Sequence, residues 1–108
     1  MSVLIITFAL AGLSEEAYRQ HAASMAPRFG QVPGLISKVW LADAAANTYG
    51  GVYFFEDRPS LEAYRNSDIV AAIRANPHFE HVSVRTFETI EEATAITGGP
   101  LTPVYAGW

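Results

Sequence analysis

Four segments of this chain have the composition of β-strands, and two helical segments lie between them. The predicted strands span residues 3–10, 35–42, about 51–56 and 81–88. They are rich in β-branched and aromatic residues and are bounded by turn residues, a pattern typical of strands. The order β-α-β-β-α-β predicts an α+β, ferredoxin-like sandwich, with a four-stranded antiparallel sheet and helices on one face. We expect residues 1–108 to form one domain, of which 98–108 is an apolar C-terminal tail.

The helix starts carry recognisable signals. Ser14 is followed by two glutamates, which predicts an N-cap with acidic residues in the first turn. Residues 57–60 hold Pro59 where the first turn of the next helix should lie. A break is expected at 66–68, because Ser67 can cap a second short helix that ends before Pro77.

Both faces of the predicted strands are apolar. In the first strand Leu4 and Ile6 share one face, while Val3 and Ile5 share the other. Two helices can cover only one face, so the other must meet something apolar, and a second copy is the simplest partner. A mean hydropathy of +0.14 agrees with apolar surface covered in this way. We therefore expect a homodimer formed through the sheet faces, a dimeric α/β barrel.

Charge and cysteine content exclude several classes of protein. The net charge is −4 and there is no basic run, which argues against nucleic-acid binding. The chain has no cysteine, so disulfides, thiolate nucleophiles and cysteine-held cofactors are excluded. The first ten residues lack the basic segment of a signal peptide and are too few to span a bilayer. We expect a cytoplasmic protein without a membrane partner.

One combination of motifs resembles a known family. The motifs are Pro33-Gly34-Leu35-Ile36, Lys38-Val39-Trp40, Gly50-Gly51-Val52-Tyr53 with Phe55, and Ala63-Tyr64. At this spacing, over residues 1–88, the chain resembles the YdhR-like monooxygenases, which belong to the dimeric α/β-barrel superfamily together with antibiotic-biosynthesis monooxygenases. The resemblance implies that fold and an oxygenase activity. The chain departs from the family at Thr48 and Tyr49, where relatives often carry an acid, and at Asp68, where some carry a histidine.

We predict a ligand pocket between the helices and the sheet. Its substrate-binding residues would be Tyr18, Met25, Lys38, Trp40, Tyr53, Phe55 and Tyr64, and its catalytic residues His21 and Arg85. His21 would be a base near neutral pH, and Arg85 would stabilise a developing oxyanion. The alternative is that the aromatic residues are ordinary core, the two cations reach solvent at strand edges, and His21 is a packed helix residue.

Three functions are compatible with such a pocket. The resemblance implies a monooxygenase that needs no cofactor and acts on a small aromatic molecule, such as a phenol, a quinol or a polyketide-like compound. A proton-transfer isomerase or lyase, or a non-catalytic small-molecule-binding dimer, would use the same residues. His78 and His81 have the spacing of metal ligands on a helix, but Pro77 and the following strand argue against a helix there, so we predict no metal. Phosphate-binding and dinucleotide-binding glycine motifs do not occur in the sequence.

Overall fold

The computed structural model describes residues 1–98 and confirms the predicted element order. The strands are β1 (Ser2–Leu10), β2 (Leu35–Asp43), β3 (Thr48–Phe55) and β4 (Phe79–Glu88). The helices are α1 (Glu15–Met25), a 3-10 helix (Ala26–Gln31), α2 (Arg58–Arg65), α3 (Asp68–Ala75) and α4 (Glu91–Ile96). The strands form one antiparallel sheet in the order β2-β3-β1-β4, which is the ferredoxin-like arrangement. Of the apolar tail predicted over 98–108, residues 99–108 lie outside the described residues.

The helix ends follow the capping residues. The Ser14 hydroxyl accepts a hydrogen bond from the Ala17 amide at 3.1 Å, and an Asp57 carboxylate oxygen accepts one from the Ser60 amide at 2.9 Å. The second helical segment is divided into α2 and α3 at residues 66–67, as predicted. Among the helices of residues 1–98, none is long and apolar enough to cross a membrane.

The last helix, α4, is absent from the sequence prediction, which has only a polar stretch after the fourth strand. Two glutamates occupy its first turn, where the helix dipole favours acidic side chains. The amino terminus of Met1 donates a hydrogen bond to the Glu91 carboxylate, and the Thr89 hydroxyl donates one to the Met1 carbonyl oxygen at 3.0 Å. A short helix of this kind depends on such contacts, which sequence periodicity does not reveal.

The two faces of the sheet have different surroundings. The face toward the helices carries the buried core, formed by Leu4, Ile6, Phe8, Tyr18, Tyr49, Tyr53, Phe55, Leu61, Tyr64 and Val70. On the opposite face, residues such as Val3, Ile5, Val52 and Phe54 are only partly buried, and Val39 is 47% exposed. Within residues 1–98, no helix covers this outer face. The strands are therefore apolar on both faces of the sheet, as predicted.

A glycine is required where β3 passes β1. Gly50 has a φ of 148°, and a Cβ at this position would lie 1.9 Å from the Ile6 carbonyl oxygen. Side chains rarely adopt this conformation, and the backbone oxygen cannot move aside without breaking the ladder. This close approach fixes the register of β3 on β1 and, through it, the positions of the side chains that face the helices.

Candidate functional site

A cavity of about 440 Å³ lies between the helix-covered face of the sheet and the elements α1, the 3-10 helix and α3. It is lined by Phe8, Tyr18, His21, Met25, Phe29, Lys38, Trp40, Gly50, Tyr53, Asp68, Ile69, Ala72, Ile73, Asn76 and Phe79. Its volume is within the range of small-molecule sites, and its walls are mainly apolar and aromatic with a few polar groups, as in such sites.

Six of the nine predicted site residues line this cavity: Tyr18, His21, Met25, Lys38, Trp40 and Tyr53. The strand residues reach it because Lys38 pairs with Tyr53, and Trp40 with Gly51, in the antiparallel register of β2 and β3. Side chains of directly paired residues lie on the same face of the sheet, here the one covered by helices. The chemical roles of these six residues stay predictions.

Two predicted residues lie in the core beneath the cavity. Phe55 is fully buried, and its ring contacts those of Tyr53 and Tyr64 at centroid distances of 6.5 and 5.7 Å. Tyr64 is also buried, and it lines a separate pocket between the 3-10 helix and α2 rather than this cavity. Both residues belong to the buried core and do not line the cavity.

The prediction that Arg85 lines the cavity is wrong. Arg85 pairs with Ile5 on the outer face of the sheet, where it is exposed and its guanidinium carbon lies 5.1 Å from the Phe87 ring centroid. From Ser83 to Glu88 the pairing with β1 is regular, and it places Arg85 on the outer face and Val84, opposite Ile6, on the helix-covered face; β4 is irregular only before this stretch, where the register shifts and His81 has a φ of 55°. Such a bulge reverses the alternation, so Phe79 faces the helices whereas Arg85, six residues later, does not.

Lys38 is the central polar group of the cavity and the only lysine in the chain. Its ammonium nitrogen lies 3.6 Å from the Phe29 ring centroid, 3.4 Å from that of Trp40 and 4.5 Å from that of Tyr53. Within residues 1–98 it forms no ion pair. Cation–π contacts replace only part of its lost hydration, and burial lowers the pKa of the ammonium to about 7. A perturbed, unpaired cation in a cavity is a mark of a functional site.

Gly51 provides the space in which the Lys38 side chain lies. A Cβ at Gly51 would lie 2.9 Å from Lys38 Cε, the flexible end of the lysine stem, and 3.4 Å from the Tyr53 ring. We expect Gly51→Ala to displace the ammonium without unfolding the strand, and thereby to reduce turnover or ligand affinity about tenfold or more. Ligand titration combined with thermal unfolding would check this. A Gly51→Ala variant that binds and turns over normally would show that the position of Lys38 does not matter.

The buried Lys38 also makes stability depend on pH. The unfolded chain keeps the usual lysine pKa of about 10.4, whereas the folded value is about 7. Between these values the unfolded state holds a proton that the folded state lacks, so the free energy of unfolding rises with pH. We expect the thermal midpoint to increase from pH 7 to pH 9, below the range in which tyrosines ionise. Lys38→Met should remove this increase, and an equal increase in both proteins would contradict the assignment.

The tyrosines near the cavity remain neutral at physiological pH. Burial, together with the neighbouring Tyr49, raises the pKa of Tyr18 to about 12. Burial also raises the pKa of Tyr53. The Tyr49 hydroxyl donates a hydrogen bond to a Glu15 carboxylate oxygen at 3.0 Å, which ties the sheet to α1. The two phenols that line the cavity, Tyr18 and Tyr53, therefore keep their protons and are not bases.

Nine lining residues are absent from the predicted site: Phe8, Phe29, Gly50, Asp68, Ile69, Ala72, Ile73, Asn76 and Phe79. Phe29 and Ile73 do belong to apolar helical stripes, but such stripes do not distinguish a cavity wall from solid core. Asp68 adds the one carboxylate among the lining residues, at the start of α3. Asn76 adds an amide at the end of the same helix.

The histidines near β4 have local structural roles. His78 Nδ1 is hydrogen-bonded to the Ala11 carbonyl oxygen at 2.8 Å, which joins the end of β1 to the turn before β4. His81 is exposed at the strand irregularity. Among residues 1–98 no group of three or more potential ligands is arranged to hold a metal ion.

Comparison with known proteins identifies similar families and folds. Residues 3–100 match the model of the family described as putative mono-oxygenase ydhR. The structure resembles the heme-degrader MhuD from Mycobacterium tuberculosis, solved with two hemes in its active site: TM-score 0.67, 22% identity, covering 83% of this chain and 96% of that chain. It also resembles a mutant of SnoaB, a cofactor-independent oxygenase from Streptomyces nogalater: TM-score 0.63, 16% identity, covering 82% and 92%. No curated protein sequence matches significantly. At these identities the two structures show the fold.

Proposed function

This chain belongs to the ydhR mono-oxygenase family, and from that premise we propose that it is a cofactor-independent monooxygenase of a small phenol or quinol. The substrate would lie in the cavity between the sheet and the helices. The same fold in SnoaB, a cofactor-independent oxygenase, is consistent with this choice. The family match supports the reaction class, and the cavity supports the substrate class.

The observation that carries the proposal is the position of Lys38. Its ammonium lies among three aromatic rings, in a cavity whose other walls are largely apolar. A flat aromatic ligand would stack against these rings, and its ionised hydroxyl would supply the anion that Lys38 lacks. Binding a phenolate would raise the lysine pKa again, because an opposite charge favours the ammonium. Lys38 thus takes the oxyanion-stabilising role that the sequence pattern assigned to Arg85.

The reaction needs an electron-rich substrate and molecular oxygen. Loss of the hydroxyl proton gives a phenolate that can transfer electrons to dioxygen, and His21 is the group proposed to accept that proton. One oxygen atom then bonds to a ring carbon and the other leaves as water, so that a phenol and O₂ give a quinone and H₂O. The substrate supplies all four electrons. The protein's part is to bind, desolvate and deprotonate the substrate.

A homodimer through the outer sheet face belongs to the same proposal. That face carries Val3, Ile5, Val39, Val52, Phe54 and Phe87, and within residues 1–98 no helix lies over it. Phe87 is 42% exposed in the single chain, and a patch of this kind is typical of a subunit interface. The cavity lies on the opposite side of the sheet, so each subunit would hold its own site.

The decisive experiment is turnover of a panel of quinols and phenols under air and under argon. We expect product only under air, with one oxygen atom derived from ¹⁸O₂. Equal rates under both gases would contradict the oxygenase and indicate a proton-transfer isomerase or lyase. Saturable binding without turnover across the panel would instead support a binding protein.

Heme requires a separate arm of that experiment, because the related fold of MhuD binds it. The purified protein would be titrated with hemin and followed by absorption spectroscopy, with a His21→Ala variant as the control. Under our proposal, hemin is not needed for quinol turnover. A His21-dependent spectral shift accompanied by heme breakdown would replace the proposed activity with a heme-degrading one.

A further inference from the structure

The amine of Lys38 is a potential nucleophile as well as a cation. We propose that Lys38 is a covalent capture site, at which the amine condenses with the carbonyl group of a flat, apolar aldehyde or ketone to form an imine. This activity goes beyond oxygenation, in which Lys38 acts only through its charge.

The surroundings of the amine favour such a ligand. The nitrogen lies within 4.5 Å of the ring centroids of Phe29, Trp40 and Tyr53. These rings provide stacking surfaces for an aromatic carbonyl compound, and about 440 Å³ of open space adjoins them. A carbonyl group at the edge of a ligand stacked in this cavity would therefore be brought close to the nitrogen.

The protonation state permits attack at neutral pH. Burial lowers the pKa of Lys38 to about 7, so a large fraction of the side chain is neutral amine, as in other desolvated nucleophilic lysines. The other titratable side chains lining the cavity are Tyr18, His21, Tyr53 and Asp68. None of these forms an ion pair with Lys38 in the described structure, so none holds it in the charged form.

The condensation balances without an oxidant or a reductant. The amine lone pair forms a C–N bond to the carbonyl carbon, and the nitrogen loses one proton as the carbonyl oxygen gains one, which gives a neutral carbinolamine. Loss of water, formed from that hydroxyl group and a further proton, leaves the iminium ion. His21 lines the cavity and is exposed, so solvent can supply and accept the protons of both steps at this side of the cavity.

The aromatic rings also favour the product. Removing a compact, strongly hydrated ammonium from water is costly. An iminium conjugated to an aromatic ring is a larger cation whose charge is spread over more atoms, so it loses less hydration in the same place. The faces of Phe29 and Trp40 interact favourably with such a cation.

Reductive trapping tests the proposal directly, because the sequence has two primary amines: the side chain of Lys38 and the terminal amine of Met1. Folded protein would be incubated at pH 7 with 2-naphthaldehyde and cyanoborohydride, and the adducts located by peptide mass mapping. We expect Lys38 to be labelled at least about tenfold faster than in urea-unfolded protein, since unfolding restores its usual pKa of about 10.4. Propanal, which cannot stack, should show a much smaller preference for Lys38 over Met1.

The Lys38→Arg variant is the matched control, because it keeps the positive charge but has no primary amine in the cavity. It should be labelled at Met1 only. Labelling of Lys38 that is no faster in the folded than in the unfolded chain would overturn the proposal, as would labelling confined to Met1. The readout is an adduct mass and needs no oxygenase substrate, so failure here and failure of the proposed oxygenase activity are distinguishable.

Discussion

Replacing Lys38 with methionine is expected to reduce quinol turnover by about 10²–10³-fold, the usual cost of losing one group that stabilises a developing oxyanion. Methionine has a similar length and fits an apolar cavity, so the three surrounding rings keep a neighbour. The folded state also no longer buries an ammonium whose pKa is lowered to about 7. The variant should therefore fold, be at least as stable as the parent at pH 6–7, and fail in the chemical step.

Arg74→Met is the matched control for that experiment. Arg74 is an exposed cation at the end of α3 and does not line the cavity. Its loss changes the net charge by the same amount as the loss of Lys38, and turnover should stay within about twofold of the parent, since surface substitutions of this kind have small effects. If Lys38→Met turned over substrate as fast as Arg74→Met, the oxyanion role of Lys38 would be refuted.

Replacing Val39 with aspartate should convert a dimer into monomers. Val39 lies on the outer sheet face opposite Val52 and is 47% exposed in the single chain, so the monomer tolerates a carboxylate there. In a sheet-to-sheet interface burying on the order of 2,000 Å², each subunit would instead place an unpaired charge in an apolar contact. Light scattering at micromolar concentration is the measurement.

The control for Val39→Asp places the same charge elsewhere. Ala23 is exposed on α1 and does not line the cavity, so Ala23→Asp should leave the oligomeric state unchanged. If the unmodified protein were a monomer at micromolar concentration, the dimer would be excluded and the outer face would need a different partner.

The elements of this fold could be predicted because their signals are local. Ser14 and Asp57 cap their helices within three residues, and strand alternation is visible in single segments such as Leu4 to Ile6. The cavity was predictable in part, since Lys38 and Trp40 are two residues apart and share a face in any regular strand.

The face of the sheet on which Arg85 lies could not be predicted from the sequence of its own strand. That strand alternates regularly from Ser83 to Glu88, but which of the two faces meets the helices is set by the pairing of β4 with β1, a contact between segments distant in sequence. The short helix α4 and the polar group Asp68 were missed for a related reason, because both depend on contacts between segments distant in sequence. Local sequence patterns predict the helices and strands, but they do not predict which residues of different elements come into contact in the folded protein.

Because the second helical segment is divided into α2 and α3, one short helix, α3, forms an apolar wall of the cavity, while the reactive groups lie mainly on other elements. Lys38 and His21, the groups proposed for the oxygenase chemistry, lie on β2 and α1, whereas α3 contributes mainly apolar surface through Ile69, Ala72 and Ile73, with Asp68 in its first turn. The length, width and entrance of the binding space can thus be remodelled on one eight-residue helix while the reactive groups stay in place. Substitutions at Ala72 should exchange one range of ligand sizes for another, which makes α3 the natural starting point for redirecting the protein to new substrates.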